Sequence, residues 1–222
     1  VRNDADVHNA ASNLVDGSFF NSGQSCCGIE RIYVHEDVYD NFVEKFVEVT
    51  KTYKLGNPLD KETNLGPMVK TSASDYVRAQ IKEAVNKGAK SLVDESLFPQ
   101  SKKGTPYLSP HVLVDVDHTM AVMKDESFGP VVGIMKVSND EEAIKLMNDS
   151  EYGLTASIWS SSIEQAKKLS RKIETGTVFL NKCDYLDPGL AWTGVKNTGR
   201  GVSLSAYVYD SVTRLKSINF RL

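Results

Sequence analysis

The sequence predicts an α/β fold: a mostly parallel, twisted sheet with crossover helices. Three observations carry that prediction. Between residues 131 and 180, short β-branched runs alternate with amphipathic stretches of helical length, in the order strand, helix, strand, helix, strand. Parallel strands need crossovers of that kind, whereas antiparallel strands do not. Each crossover opens on a helix-start signal, Ser138-Asn139-Asp140-Glu141 and Ser162 to Gln165, both with the form of a capping box. Finally, 222 residues with 41% apolar and 25% charged side chains form an ordinary globular chain, long enough to bury a substantial core.

The elements follow in order. Val7, Ala10, Ala11, Leu14 and Val15 keep helical spacing, with Asp4 or Asp6 as cap, and Gly17 is expected to break the pattern. Ile32-Tyr33-Val34 reads as a short strand. Val38, Phe42, Phe46, Val49 and Tyr53 make the stripe of a second helix, ended by Gly56-Asn57-Pro58. A loop passes through Gly66-Pro67. A third helix turns Val77, Ile81, Ala84 and Val85 inward, and Gly88 stands at the left-handed C-cap position. Residues 94 to 109 are irregular. Strands are expected at 111–114, 131–137, 155–159 and 178–180. One intervening helix carries Ala143, Ile144 and Met147, and the other Ile163, Ala166, Leu169 and Ile173. Residues 182 to 201 form a long ordered loop with Pro188, Gly189, Gly194, Gly199 and Gly201. The tail from Tyr207 alternates apolar and polar residues, as a strand leaving the body would. No internal repeat or linker divides the chain.

Composition narrows the function classes. A net charge of -3 offers no general attraction for nucleic acid or an anionic membrane. No apolar run is long enough to cross a bilayer, and residues 1 to 20 lack the basic start and apolar block of a secretion signal. Asn148-Asp149-Ser150 is then a chance glycosylation sequon. The cysteines are Cys26, Cys27 and Cys183, too few and too odd in number for a disulfide framework, which points to a reducing compartment, the cytoplasm. There is no Cys-x-x-Cys and no His or carboxylate cluster at ligand spacing, so no metal site is expected. Gly199-Arg200-Gly201 lacks the third glycine of a dinucleotide fingerprint, and Gly194 to Arg200 lacks the ending of a phosphate loop.

The richest stretch is Phe19 to Gly28, FFNSGQSCCG. Small buried cysteines commonly just fill space. Here Gly23 and Gly28 let the backbone turn tightly, and a thiol on such a turn can attack a carbonyl while backbone N–H groups hold the oxyanion. A cysteine hydrolase needs a general base, and His8, His35, His111 and His118 sit in no suggestive motif; they read as solvated or capping residues.

FFNSGQSC resembles the cysteine motif of the aldehyde dehydrogenase superfamily. Glu126-Ser127-Phe128-Gly129-Pro130 resembles its Glu-x-Phe-Gly-Pro segment, and Gly194-Val195-Lys196-Asn197-Thr198-Gly199 its Gly-x-Lys-x-Ser-Gly loop, with Thr198 in the serine position. Leu65-Gly66-Pro67 and Ala84 to Ala89 are similar too, so the resemblance runs the length of the chain. It implies that Cys26 is the nucleophile, that Glu126 holds the nicotinamide ribose hydroxyls of NAD or NADP, and that Phe128 packs near the nicotinamide. On the residues alone, the preferred readings are a strand-end surface charge for Glu126 and a core aromatic for Phe128. Phe20, Ser25, Cys27, Tyr185 and Trp192 would line the aldehyde tunnel, although Phe20 could be plain core and Tyr185 plain surface. The aromatics hint at an apolar or aromatic aldehyde.

The resemblance also implies what is missing. Family members are about twice this length. Their cofactor domain comes first in the chain and their Glu-Leu-Gly-Gly general base lies shortly before the part matched here; the Asn that donates a second oxyanion hydrogen bond is absent as well. The chain is thus expected to be a catalytic domain (residues 1–206) with a C-terminal arm (207–222) for subunit or domain pairing. Alone it would be inactive; complete, it would be a homo-oligomer, dimer or tetramer, oxidising a small-molecule aldehyde to its acid. Two other classes fit the same residues: a non-catalytic oligomerisation module, and a thiol-dependent esterase or acyl-transfer enzyme, including a coenzyme A-acylating variant.

Overall fold

The computed structural model describes residues 1–183 and 185–221; Leu222, the end of the expected arm, lies outside the described residues. Helix α1 (Val7–Phe19) opens at Asp6, whose carboxylate accepts the Asn9 N–H at 3.0 Å. It buries Ala10, Ala11, Leu14 and Val15, as the spacing predicts. Gly17 does not break it. A Cβ there would lie 2.6 Å from Cys183 Sγ, so the glycine serves close packing inside the helix. Strand β1 (Arg31–His35) leads into α2 (Glu36–Thr50), where His35 Nδ1 accepts the Asp37 N–H. This helix ends earlier than expected. Thr50 bonds back to the Phe46 carbonyl, and Tyr53 reaches the core from the following loop, edge-on to Phe19 at 6.0 Å. In α3 (Thr71–Asn86), Val77, Ile81 and Ala84 face inward, but Val85 faces solvent. Gly88, at φ +111°, takes the left-handed turn predicted for it.

Strands β2 (Lys90–Ser91) and β3 (His111–Val114), the short helix α4 (Ala121–Lys124) and strand β4 (Val131–Val137) complete the first half. The sheet order is β1-β4-β3-β2, with β1, β4 and β3 parallel and β2 antiparallel at the edge. Successive side chains alternate faces. Ile32, Val34, Val112, Val132 and Ile134 join α1 and α2 in one core, whereas Tyr33, Leu113 and Val131 join α3 and α4 in another. A sheet buried on both faces accounts for the unbroken apolar strands.

The second half is α5 (Asp140–Asn148), β5 (Tyr152–Gly153), β6 (Thr155–Ile158), α6 (Ile163–Ser170), β7 (Thr177–Leu180) and β8 (Val195–Lys196). The first capping box sits one residue later than the sequence suggests. Asn139 accepts the Glu142 N–H, and Glu142 reaches back to the Ser138 N–H at 2.7 Å. Ser162 caps α6 as expected. The parallel pair β6-β7 stands apart from the first sheet, and β5 pairs with β8, so the expected continuous sheet through β4, β6 and β7 is interrupted. The tail also departs from expectation. It begins as helix α7 (Val208–Val212), and residues 213–221 join no strand ladder among the described residues. No helix among the described residues is long and apolar enough to cross a membrane.

Candidate active site

The loop after α1 is tightly specified. Asn21, Ser22 and Gly23 are all left-handed, with φ of 50°, 58° and 72°, a strained run for two non-glycine residues. Side chains hold it. Ser22 Oγ donates to the Gly66 carbonyl at 2.7 Å, and Asn21 Nδ2 donates to the Gln24 carbonyl at 3.0 Å. Gln24 Oε1 accepts the Val69 N–H at 2.7 Å, while its Nε2 donates to the carbonyl oxygens of Asn21 and Pro67. Gln24 therefore clips the loop that leads to Cys26 onto the Gly66-Pro67 turn. A Cβ at Gly23 would collide with the Gly129 carbonyl, so the first two sequence motifs touch backbone to backbone.

Beyond Gln24 the chain makes a turn closed by the Gly28 N–H on the Ser25 carbonyl at 3.0 Å. Cys26 stands exposed on this turn, and Cys27 is buried, its Sγ 3.5 Å from Ser25 Oγ. Two cavities meet at Cys26. One, of about 480 Å³, is lined by Phe20, Ser25, Cys27, Tyr185 and Trp192, together with Cys183. The five residues proposed for an aldehyde tunnel thus share one pocket. Phe20 is exposed rather than core; Tyr185 is exposed too, and its ring lies under Lys182 Nζ. Trp192 is half-buried and pairs with Ser203 through both backbone bonds, at 2.7 and 2.9 Å.

The other cavity, a cleft of about 580 Å³, has Cys26 and Glu126 on its wall. Glu126 is exposed. Phe128 is exposed too, against the expectation of a core aromatic, and lines neither cavity. Its φ of +51° is held by a residue that sequence reading missed: Glu30, whose Oε1 accepts the N–H groups of Ser127 at 2.9 Å and Phe128 at 2.8 Å. Burial pushes the Glu30 carboxyl above the ordinary glutamate range, against the pull of those two N–H bonds. The only sign in the sequence was a lone acid just before an apolar strand.

The third motif acts as a clip. Lys196 Nζ donates to the carbonyls of Asn148 and Ser150 and pairs with Glu174, while Thr198 Oγ1 accepts the Gly153 N–H. Two histidines are neither solvated nor capping. His111 is buried between Ser91 and Ser109, and burial lowers it to about 4. His118 links the Tyr33 hydroxyl at 2.8 Å to Asp149 at 2.6 Å. No group of His, Cys, Asp or Glu among the described residues is arranged to hold a metal ion.

The aldehyde dehydrogenase family model matches residues 1–218. This chain belongs to the aldehyde dehydrogenase family. The 3-sulfolactaldehyde dehydrogenase of Priestia megaterium is 35% identical over the whole chain, which covers 46% of that protein. The lactaldehyde dehydrogenase of Methanococcus vannielii is 33% identical over 98% of the chain, again 46% of its own length. Among solved structures, the glyceraldehyde-3-phosphate dehydrogenase of Methanocaldococcus jannaschii in complex with NADP superposes with a TM-score of 0.90 at 31% identity, over 98% of this chain and 46% of that one. A betaine aldehyde dehydrogenase from Staphylococcus aureus in complex with NAD+ gives 0.87 at 30% identity, over 95% and 42%. The chain spans about half the length of the curated relatives it matches. The fold is that of an aldehyde dehydrogenase, and nicotinamide cofactors serve the family.

Proposed function

We propose that this aldehyde dehydrogenase chain is the cysteine-bearing catalytic domain of an NAD- or NADP-dependent enzyme that oxidises an aldehyde to a carboxylic acid. One observation carries the reading: Cys26 stands exposed on a rigid turn where an aromatic-lined pocket meets a cleft bearing Glu126. The pocket admits the aldehyde. Cys26 Sγ, as thiolate, attacks the carbonyl carbon; a C–S bond forms, and the oxygen becomes an oxyanion beside the backbone of the same turn. Collapse of that thiohemiacetal expels hydride and leaves a thioester on Cys26. The nicotinamide cofactor, when bound, supplies the hydride acceptor. Water then cleaves the C–S bond, giving the acid and returning the thiol.

The residues present fit one end of that cofactor. An exposed carboxylate on the cleft wall accepts two hydroxyl hydrogen bonds, so Glu126 would hold the nicotinamide ribose. Phe128 would stack beside it. Gly199-Arg200-Gly201 opens no helix and offers no phosphate cradle, so the diphosphate end is served by other polypeptide, and the 222 residues alone turn over no aldehyde. The tail is the proposed pairing arm of a dimer or tetramer: Leu215, Ile218 and Phe220 are exposed. A cytoplasmic location completes the reading.

The test is cofactor reduction by the full-length enzyme carrying this sequence. Cys26→Ser is expected to abolish aldehyde-dependent turnover, a loss on the order of 10³-fold or more, with binding retained. Undiminished turnover would exclude Cys26 as the nucleophile. Turnover by the 222-residue chain would refute its dependence on further polypeptide.

A further inference from the structure

Two consecutive residues just beyond Cys26 grip the acidic segment from both sides. Glu30 Oε1 accepts the N–H groups of Ser127 at 2.9 Å and Phe128 at 2.8 Å, immediately after Glu126. Arg31 Nη1 donates to the Met123 carbonyl at 3.2 Å, three residues before Glu126. Glu126 is thus bracketed, with one tether on each side of it. Two successive N–H groups converging on one oxygen form the kind of concavity in which backbone holds an anion. The segment's own side chains add little there: the Ser127 hydroxyl is buried and has no hydrogen-bond partner among the described residues.

The stretch that carries these tethers is itself fixed. The Gly28 N–H closes the turn onto the Ser25 carbonyl, and the Ile29 N–H bonds the Gly17 carbonyl near the end of α1 at 2.9 Å. The Glu30 carbonyl accepts the Gly133 N–H at 3.3 Å, which ties it to β4. Glu30 follows Cys26 by only four residues. The Glu126 carboxylate and the Cys26 sulfur are therefore both held relative to the same short run of chain. Beyond the tethers, the segment meets Tyr76, whose hydroxyl donates to the Glu126 carbonyl at the long distance of 3.5 Å, and the backbone of Gly23 against Gly129.

We propose that Glu30 and Arg31 are positioning residues for cofactor binding: they set where the Glu126 carboxylate stands relative to Cys26, and so where the nicotinamide ribose lies. This rests on the reading of Glu126 as the acceptor of the ribose hydroxyls. Neither residue touches the reacting atoms. Their effect is on distance, and a displacement of about 1 Å in the reacting geometry can cost on the order of 10²-fold in rate. The side chain at position 30 must present one oxygen to both N–H groups, so its length and its acceptor matter more than its charge. Gln keeps both, Asp falls one methylene short, and Ala has neither.

The test uses the full-length enzyme carrying this sequence, titrated calorimetrically with NAD and with NADP. Glu30→Ala is expected to weaken the preferred cofactor at least about 10-fold and Arg31→Ala at least about 3-fold, while Glu30→Gln stays within about 3-fold of the unaltered enzyme. Without cofactor, hydrogen exchange at the Ser127 and Phe128 amides should quicken at least about 10-fold in Glu30→Ala and stay slow in Glu30→Gln. Alkylation of Cys26 by iodoacetamide, also without cofactor, should stay within about 2-fold in all three variants, because the turn itself is intact. Undiminished cofactor affinity in Glu30→Ala would overturn the proposal. So would a Glu30→Gln variant as weak as Glu30→Ala with its two amides still protected. Glu126→Ala, run alongside, separates the two readings. A loss in Glu126→Ala without one in Glu30→Ala refutes the positioning role alone, whereas undiminished binding in Glu126→Ala refutes the ribose reading and the positioning role with it. If Glu30→Ala fails to fold, Glu30→Asp takes its place with the same expected loss.

Discussion

The two halves of the molecule are built from the same kinds of element and differ in how far they are closed. Around β1, β4 and β3, two clusters of buried residues cover both faces of the sheet, with Phe42, Phe46, Val112, Val132 and Ile134 all at 0% exposure. Around β6 and β7, helix α5 has no fully buried residue, every residue of β7 is half-buried, and the core cluster has five members. Helix periodicity is as good in α5 and α6 as in α2. Amphipathic pattern therefore sets which face turns inward, while closure depends on what lies opposite that face.

Several measurements would break or sharpen this contrast. Phe46→Ala in the closed half should cost about 4 kcal/mol by urea unfolding, since it opens a large void in a sealed core. A loss near 1 kcal/mol would mean that the closed half is as loose as the other. Acidification should also strike the closed half. His111 titrates at about 4 when folded and near its ordinary 6.5 when unfolded. The unfolded chain thus binds the proton first, and stability falls between pH 6.5 and 4 by about 3 kcal/mol. His111→Asn should flatten that part of the profile; an unchanged slope would place the acid sensitivity elsewhere. At the boundary between the halves, Glu30→Ala strands two N–H groups and frees the left-handed Phe128, for about 2 kcal/mol. Because burial raises the folded pKa of Glu30, its ionisation costs stability as the pH rises above the ordinary glutamate range. Glu30→Gln should remove that pH dependence while keeping an acceptor. The smallest effect belongs to the open half: Val178→Ala in the half-buried β7 should cost about 1 kcal/mol by urea unfolding.

Much of this was legible in the sequence. The strands at 111–114 and 131–137 and the caps at Asp6, Ser162 and Gly88 follow from local chemistry, which the surrounding fold does not override. The shared pocket of Phe20, Ser25, Cys27, Tyr185 and Trp192 came from a family resemblance rather than from periodicity, because residues far apart in the chain meet only through the fold. What escaped was non-local. Glu30 serves a loop 97 residues away, and nothing in its neighbours betrays that partner. Gly17 looked like a breaker because propensity is a weak force beside the packing of Cys183 against the helix. The separation of β6-β7 from the first sheet was invisible, since alternation of strand and helix says nothing about which edges meet.

The contact between Gly23 and Gly129 has a consequence for inheritance. Each glycine belongs to a different motif, and a methyl group on Gly23 would run into the Gly129 carbonyl, while one on Gly129 would run into Val77. A Gly23→Ala allele would therefore damage both the turn that carries Cys26 and the acidic segment at one stroke, and no repair confined to the first motif could restore the second. A suppressor screen begun from such an allele should return second-site changes around Met68 and Val77, the side chains behind Gly129, where small deletions of volume would let the acidic loop retreat.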